Sequence, residues 1–231
     1  YEEVLLAEKL ISINPWAEKV LFSRTGGEAN AIAVRLARAY TGKDKIAICG
    51  YHGWHDWYLA ASKSNEKKIK KEQLPFYTSM GVPKSLLNSI IPFEYNNLSS
   101  LKKIISKNKD IGVIKMEVER NEKPKANYLN EVRKIASKNN IVLIFDECTT
   151  GFRETLGGIH KKYKVDPDIM MLGKAIGNDA LEAMLAKRLE QSLPLALQPL
   201  TERLQWRARL VPPHARHALR RAGAVRRAHV V

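Results

Sequence analysis

The chain has 231 residues, 45% of them hydrophobic and 27% charged, with 39 Lys and Arg against 24 Asp and Glu. This length supports a substantial core, and the composition excludes both a disordered polyelectrolyte and a disulfide-stapled miniprotein. No run approaches the roughly 18 apolar residues of a membrane helix, so no membrane partner is expected.

The start, Tyr1-Glu2-Glu3, shows no signal or transit pattern, so a cytoplasmic location is expected, and with no initiator Met the true N-terminus is expected elsewhere. Val4, Leu5, Ala7, Leu10, Ile11 and Ile13 predict a short amphipathic helix. Lys19 to Ser23 reads as a strand that runs into Thr25-Gly26-Gly27, and Glu28 to Tyr40 carries apolar residues at helical spacing, closed by Thr41-Gly42. Ile46 to Cys49 is a short buried strand, Gly50 to Asp56 a loop, and 62–88 a polar excursion with Lys67, Lys68, Lys70 and Lys71 exposed. Ser89 to Pro92 is a strand, Leu98 to Lys107 a helix, and Ile111 to Met116 a strand that ends at Glu117. Tyr128 to Asn139 is a helix, Ile141 to Phe145 an apolar strand ending at Asp146, and Pro167 to Leu172 a strand followed by Gly173-Lys174. Alternating strands and helices predict an α/β fold with a mostly parallel sheet and flanking helices. The two cysteines, Cys49 and Cys148, read as reduced core thiols, with neither disulfide nor zinc spacing.

Composition changes at Asn178–Asp179. Residues 1–178 hold 23 Lys and 6 Arg; residues 179–231 hold 1 Lys and 9 Arg. The expected organisation is therefore a partial α/β domain over 1–178 and an Arg-rich tail over 179–231, joined by fusion, frameshift or assembly. Asp179 to Glu190 is expected as an amphipathic helix, with disorder after it because Pro194, Pro199, Pro212 and Pro213 break any long element. The basic run Ala215 to Val231 is read as solvated or disordered in preference to a nucleic-acid surface, because no nucleic-acid motif accompanies it.

Thr25–Gly27, Tyr51, Glu117, Asp146 and Lys174 each follow the carboxyl end of a predicted strand, the edge where open α/β sheets bind ligands. Thr25-Gly26-Gly27 at a helix start suits a phosphate, although glycines in such turns also serve packing. Asp146 fits a base, a metal ligand, a cation partner or a simple cap. Lys174 is expected to be partly desolvated, which frees an amine for imine formation; the alternative is an exposed loop lysine. His52 and His55 beside Asp56 lack the further ligands of a metal site, so no metal is expected, and Tyr51 can stack on a flat ring.

These segments also carry a resemblance. Phe22 to Asn30 resembles the phosphate loop of class III aminotransferases, and Tyr51-His52-Gly53 their aromatic-His-Gly motif. Phe145-Asp146-Glu147-Cys148-Thr149-Thr150-Gly151-Phe152-Arg153 is similar to their "DE-x-x-TGFR" signature, and Pro167-Asp168 through Lys174 to their lysine motif. Arg35 to Gly42 and Gly81-Val82-Pro83 are similar to the glutamate-1-semialdehyde 2,1-aminomutase branch; from about residue 179 the likeness stops.

The resemblance implies an incomplete large domain of the aspartate aminotransferase-like fold (fold type I) and pyridoxal 5'-phosphate (PLP) as cofactor. It implies a small-molecule amino or keto substrate and a homodimer. Lys174 would be the Schiff-base lysine and Asp146 the partner of the pyridine nitrogen. Tyr51 would stack on the ring, and Thr25, Gly26 and Gly27 would hold the phosphate. His52, Glu117 and Glu122 would complete the cofactor site, although Glu117-Val118 departs from the family's usual Glu-Pro. Two activities are expected: amino-group transfer as a transaminase or as an aminomutase. The alternative is a truncated, inactive remnant that binds PLP weakly or not at all.

Overall fold

In this computed structural model, residues 2–72, 74–119, 121–176 and 182–187 are described, together with the backbone of 229–230. Helix α1 (Glu2–Ile13) and strand β1 (Lys19–Ser23) lead into α2 (Gly26–Thr41) and β2 (Lys45–Cys49). Then come α3 (Asp56–Leu59), α4 (Lys63–Glu72), β3 (Ile90–Pro92), α5 (Leu98–Lys107), β4 (Ile111–Glu117) and α6 (Tyr128–Lys138). Strands β5 (Val142–Glu147), β6 (Ile169–Leu172), β7 (Glu182–Ala186) and β8 (His229–Val230) complete the order.

The eight strands of the described residues form one sheet, in the order β3-β2-β4-β5-β6-β7-β1-β8. Strands β3, β2, β4, β5 and β6 pair in parallel. Strand β7 is antiparallel to both β6 and β1. Two reversals restore direction, so β1 runs the same way as β2, β4, β5 and β6. Their carboxyl ends therefore share one edge of the sheet.

Burial on both faces explains the near-continuous apolar strands. On one face Val113, Val142 and Ile144 pack with Ile46 and Ile48 under Ala29 and Ala33 of α2. On the other, Ile114, Met116, Leu143 and Phe145 pack with residues of α5 and α6. A third cluster joins Ala7 and Leu10 of α1 to Val20, Met170, Leu172 and Leu185.

Helix α2 starts with a reciprocal capping box between Thr25 and Glu28 and ends at Gly42, whose φ of 65° suits a residue without Cβ. In the polar excursion, 63–72 forms α4, anchored by the fully buried Ile69. Lys68 is half-buried, not exposed; its Nζ donates to Pro92 O at 3.4 Å.

The helix expected over Asp179–Glu190 is corrected by β7. Glu182 to Ala186 is a strand, and Ala183, Met184, Leu185 and Ala186 are all buried. Ala, Leu and Met favour helix in isolation, but the slot between β6 and β1 supplies backbone partners on both sides and outweighs that preference. The junction at Asn178–Asp179 lies outside the described residues, as does the tail, apart from 182–187 and the pairing of His229 and Val230 with β1.

Gly112 in β4 faces the end of α2: a Cβ there would lie 2.8 Å from Lys43 Cβ and closer still to Thr41 Oγ1. Gly112→Ala is expected to cost about 1–3 kcal/mol by overpacking. The measurement is urea unfolding, where the midpoint falls with an unchanged slope.

Candidate active site

The carboxyl edge of the sheet gathers the loops after β1, β2, β4, β5 and β6. The loop after β1 is short and ends in the first turn of α2. There Thr25 Oγ1 accepts from Glu28 N at 3.1 Å, while Glu28 Oε2 accepts from Thr25 N at 3.2 Å and Arg24 N at 3.1 Å. Ala29 N already donates to Thr25 O. The remaining first-turn donors, Gly26 N and Gly27 N, meet no acceptor among the described residues. They open toward the edge at the positive end of the helix dipole. Space above Gly27 is shared with the exposed His55 ring, which a Cβ at Gly27 would approach to 2.9 Å.

Asp146, at the end of β5, is the centre of a buried polar cluster. Its side chain is 6% exposed. Oδ1 accepts from Cys148 N at 3.2 Å, Oδ2 lies 2.9 Å from His52 Nδ1, and Lys115 Nζ lies 3.5 Å from Oδ2. Burial alone would raise the Asp146 carboxyl, but Lys115 and the His52 hydrogen bond outweigh it and hold the group well below the ordinary carboxylate range. Burial, and after it the charge of Lys115, pushes His52 down to about 4, against the pull of Asp146. A neutral ring has one N–H. The shorter contact and the negative charge place it on Nδ1, donating to Asp146; Nε2 then faces Cys49 O at 3.2 Å. Trp57 lies roughly parallel to the His52 ring, at 6.4 Å between centroids.

Glu117, at the end of β4, is Cα-paired with Asp146. Its Oε2 accepts from Tyr51 N at 3.0 Å and so ties the loop after β2 to the sheet. Gly50, with φ 105°, makes this possible, because a Cβ there would collide with that carboxylate. Tyr51 is half-buried and packs edge-on against Trp54 and Tyr58. Gly53, with φ 94°, brings the same loop to the start of α2: a Cβ on it would sit 3.4 Å from Gly27 Cα.

Lys174 follows β6 in a left-handed conformation, φ 50°, and its Nζ donates to Thr149 Oγ1 at 2.8 Å. Its side chain is exposed, contrary to the desolvation expected from the apolar strand before it. Burial ends with Gly173, and the left-handed turn carries Lys174 out past the sheet. Glu122 is exposed on the loop after β4, and among the described residues no hydrogen bond ties it to the other site residues. The structure thus links Asp146 to His52 and Glu117 to Tyr51, and it sets Lys174 beside Thr149; Glu122 stands apart. Cys49 is buried and Cys148 half-buried, both as thiols outside any disulfide. Among the described residues no group of three His, Cys, Asp or Glu could hold a metal, and no helix is long and apolar enough to cross a membrane.

Two parts of the site are missed by reading the sequence alone. Lys115 is fully buried; a charged residue inside the apolar run Ile111–Met116 is the available signal. Glu147, adjacent to Asp146 but on the opposite sheet face, is also fully buried. It accepts from Ile159 N at 2.5 Å, His160 N at 3.0 Å and Thr150 Oγ1 at 3.1 Å. Trp16 Nε1 donates to His160 Nε2 at 3.1 Å, so His160 carries its proton on Nδ1 and donates to Glu147 at 2.6 Å.

Comparison with known proteins gives the family of this fold. The family model for class III aminotransferases matches residues 1–189, a span that includes β7. The chain is similar to the 3-aminobutyryl-CoA aminotransferase of Cloacimonas acidaminovorans, 40% identical over 190 residues, or 79% of this chain and 42% of the relative. It is similar to the glutamate-1-semialdehyde 2,1-aminomutase of Sulfolobus acidocaldarius, 42% identical over 183 residues, 76% of this chain and 42% of the relative. An omega-transaminase from Sphaerobacter thermophilus shares the fold, with a TM-score of 0.68 and 26% identity over 81% of this chain and 44% of that one. This chain spans less than half the length of these relatives. A sheet of this order, a glycine cradle at the start of α2, and a buried aspartate and a lysine after adjacent strands accompany that match, and the chain belongs to the class III aminotransferase family.

Proposed function

We propose that this chain binds PLP at the carboxyl edge of the sheet and carries the amino-group chemistry of its family, with Lys174 as the covalent anchor of the cofactor. The observation that carries this reading is the buried Asp146 carboxylate, held ionised at the same edge as two helix N–H groups that meet no acceptor among the described residues. An anionic acceptor fits a protonated ring nitrogen, and the N–H groups of Gly26 and Gly27 fit a phosphate. When bound, PLP supplies an electron sink beside the substrate's nitrogen.

The chain's own groups do the rest. Gly26 and Gly27 bind the phosphate end. Tyr51, fixed through its backbone by Glu117, offers a flat face to the ring. Asp146 accepts from the ring nitrogen and keeps its proton in place. Lys174 Nζ, steadied by Thr149 Oγ1, moves a proton at the substrate's α carbon. His52 and Glu117 act behind this layer by holding Asp146 and Tyr51.

The substrate class is a small amino or keto compound. Both an aminotransferase and an aminomutase match at 40% identity or more, so the reaction is amino-group transfer between partners or within one molecule. A homodimer at work in the cytoplasm completes this reading. An inactive form that binds PLP weakly is the competing one, and the exposure of Lys174 favours it.

Borohydride reduction of the PLP-treated chain, followed by peptide mass spectrometry, should place the reduced cofactor on Lys174, and Lys174→Ala should abolish the adduct. An unlabelled wild-type chain would leave only the inactive reading. Asp146→Asn should weaken PLP binding about 10–100-fold, the loss of one charge-assisted hydrogen bond. Fluorescence titration with PLP measures it, and an unchanged affinity would remove Asp146 from the site.

A further inference from the structure

Strand β4 buries a lysine that the family's chemistry does not call on. Lys115 is 0% exposed, between Ile114 and Met116, and all seven residues of the strand are buried. In β4, Lys115 shares the α2-side face with Val113 and Glu117, and in β5 that face carries Ile144 and Asp146. Lys115 sits one pleat deeper than Glu117, so its side chain rises toward the underside of the Asp146 carboxylate. Its Nζ meets no acceptor at hydrogen-bond geometry among the described residues; Asp146 Oδ2, at 3.5 Å, is its ion-pair contact.

A buried ammonium without a counter-charge is strongly unfavourable. The titratable groups around it are Asp146, Cys148 and Glu117, with His52 on the far side of Asp146. Glu117 already accepts from Tyr51 N and Asp146 already accepts from His52, so Asp146 has two candidate cations and room to be balanced by one.

We propose that Lys115 is a positioning residue for the cofactor site: it is the resident counter-cation of Asp146, and by supplying that charge from beneath it keeps His52 neutral. Asp146 then meets a ring nitrogen as half of a neutral pair, with Oδ1 carrying, among the described residues, the Cys148 N–H. The consequence at the ring nitrogen rests on the proposed PLP site; the charge state of the cluster does not.

Burial pushes the Lys115 amine below its ordinary value, and the charge of Asp146 is the main pull back upward. His52 is the reporter. Its two nitrogens face Asp146 Oδ2 and Cys49 O, so a doubly protonated ring would satisfy both acceptors, and Lys115 is the nearby charge that opposes it. Removing Lys115 should let His52 take the second proton.

The experiment is an NMR titration of the His52 ring in the cofactor-free chain, in wild type and Lys115→Met, with the exposed-site variant Lys134→Met as control. Wild type and control should titrate near pH 4, and Lys115→Met at least about one pH unit higher. The sign carries into stability. In wild type the unfolded chain takes the His52 proton near pH 6.5 and the folded chain only near about 4, so stability falls as pH falls through that window. In Lys115→Met the urea midpoint should fall less across the same window.

The 13Cε shift of Lys115 in the unmodified chain gives an independent answer should the variant not fold: charged at neutral pH is expected. A neutral Lys115, or a His52 midpoint unmoved by Lys115→Met, overturns the proposal even if PLP binds. If His52 moves as expected and Asp146→Asn leaves PLP affinity unchanged, the ion pair stands and the placing of Asp146 at the cofactor fails.

Discussion

A carboxylate at the end of a buried parallel strand can stay ionised only if its charge is met inside the protein. Asp146 is met from three sides: a backbone N–H from Cys148, the His52 ring, and Lys115 from the core beneath. Most of the edge is organised around that requirement. The loop after β2 must bring His52 inward, which Gly50 and Gly53 permit through their positive φ, and Glu117 must hold the same loop at Tyr51 N. Trp57 and Tyr58 close over His52. The loop so fixed lies against Gly27, where the open N–H groups of α2 begin.

Neighbouring residues on one strand serve opposite faces, and β5 uses that to separate two acids. Asp146 turns toward α2 at the carboxyl edge, where it is buried with 6% of its surface exposed. Glu147 turns the other way and is consumed by four donors, three of them on Ile159 and His160 and the fourth on Thr150, with His160 further tied to Trp16. The first arrangement leaves an acceptor oxygen for a ligand. The second leaves none, and its effect is to lock the connection between β5 and β6 to the segment after α1. Adjacent carboxylates in the sequence thus divide into a site group and a structural group through the alternation of the strand alone.

Much of this is legible in the residues themselves. Strands at 19–23 and 111–117 follow directly from apolar runs, and the helix at 98–107 from its spacing, because each element's burial pattern is local. Placing Thr25–Gly27, Asp146 and Lys174 at strand ends depends only on those boundaries. What escapes is nonlocal. The strand 182–186 has a helical composition and becomes a strand only because two neighbours flank it. Helix 63–72 reads as polar because a single apolar residue, Ile69, anchors it. Lys115 reads as one lysine among many, and its partner lies on the next strand. Lys174 is placed by its strand, but its exposure depends on what stands beyond that strand's end.

That last point bears on which reaction the site can run. The floor of the site consists of the glycine start of α2, the Asp146 carboxylate, the Tyr51 ring and Lys174. In the proposed PLP site every one of these groups would address the cofactor, and none is shaped to a particular carbon skeleton. A reaction within one molecule and a reaction between two differ in whether the intermediate carbonyl compound is released, which is a matter of how the space over the floor is enclosed. The β7 pairing fixes the floor's width by locking β6 to β1, and with it the spacing between Lys174's strand and the glycine cradle. On the proposed reading, floor geometry and substrate choice are carried by different parts of the protein. This explains how an aminotransferase and an aminomutase can each be about 40% identical to the same stretch of chain.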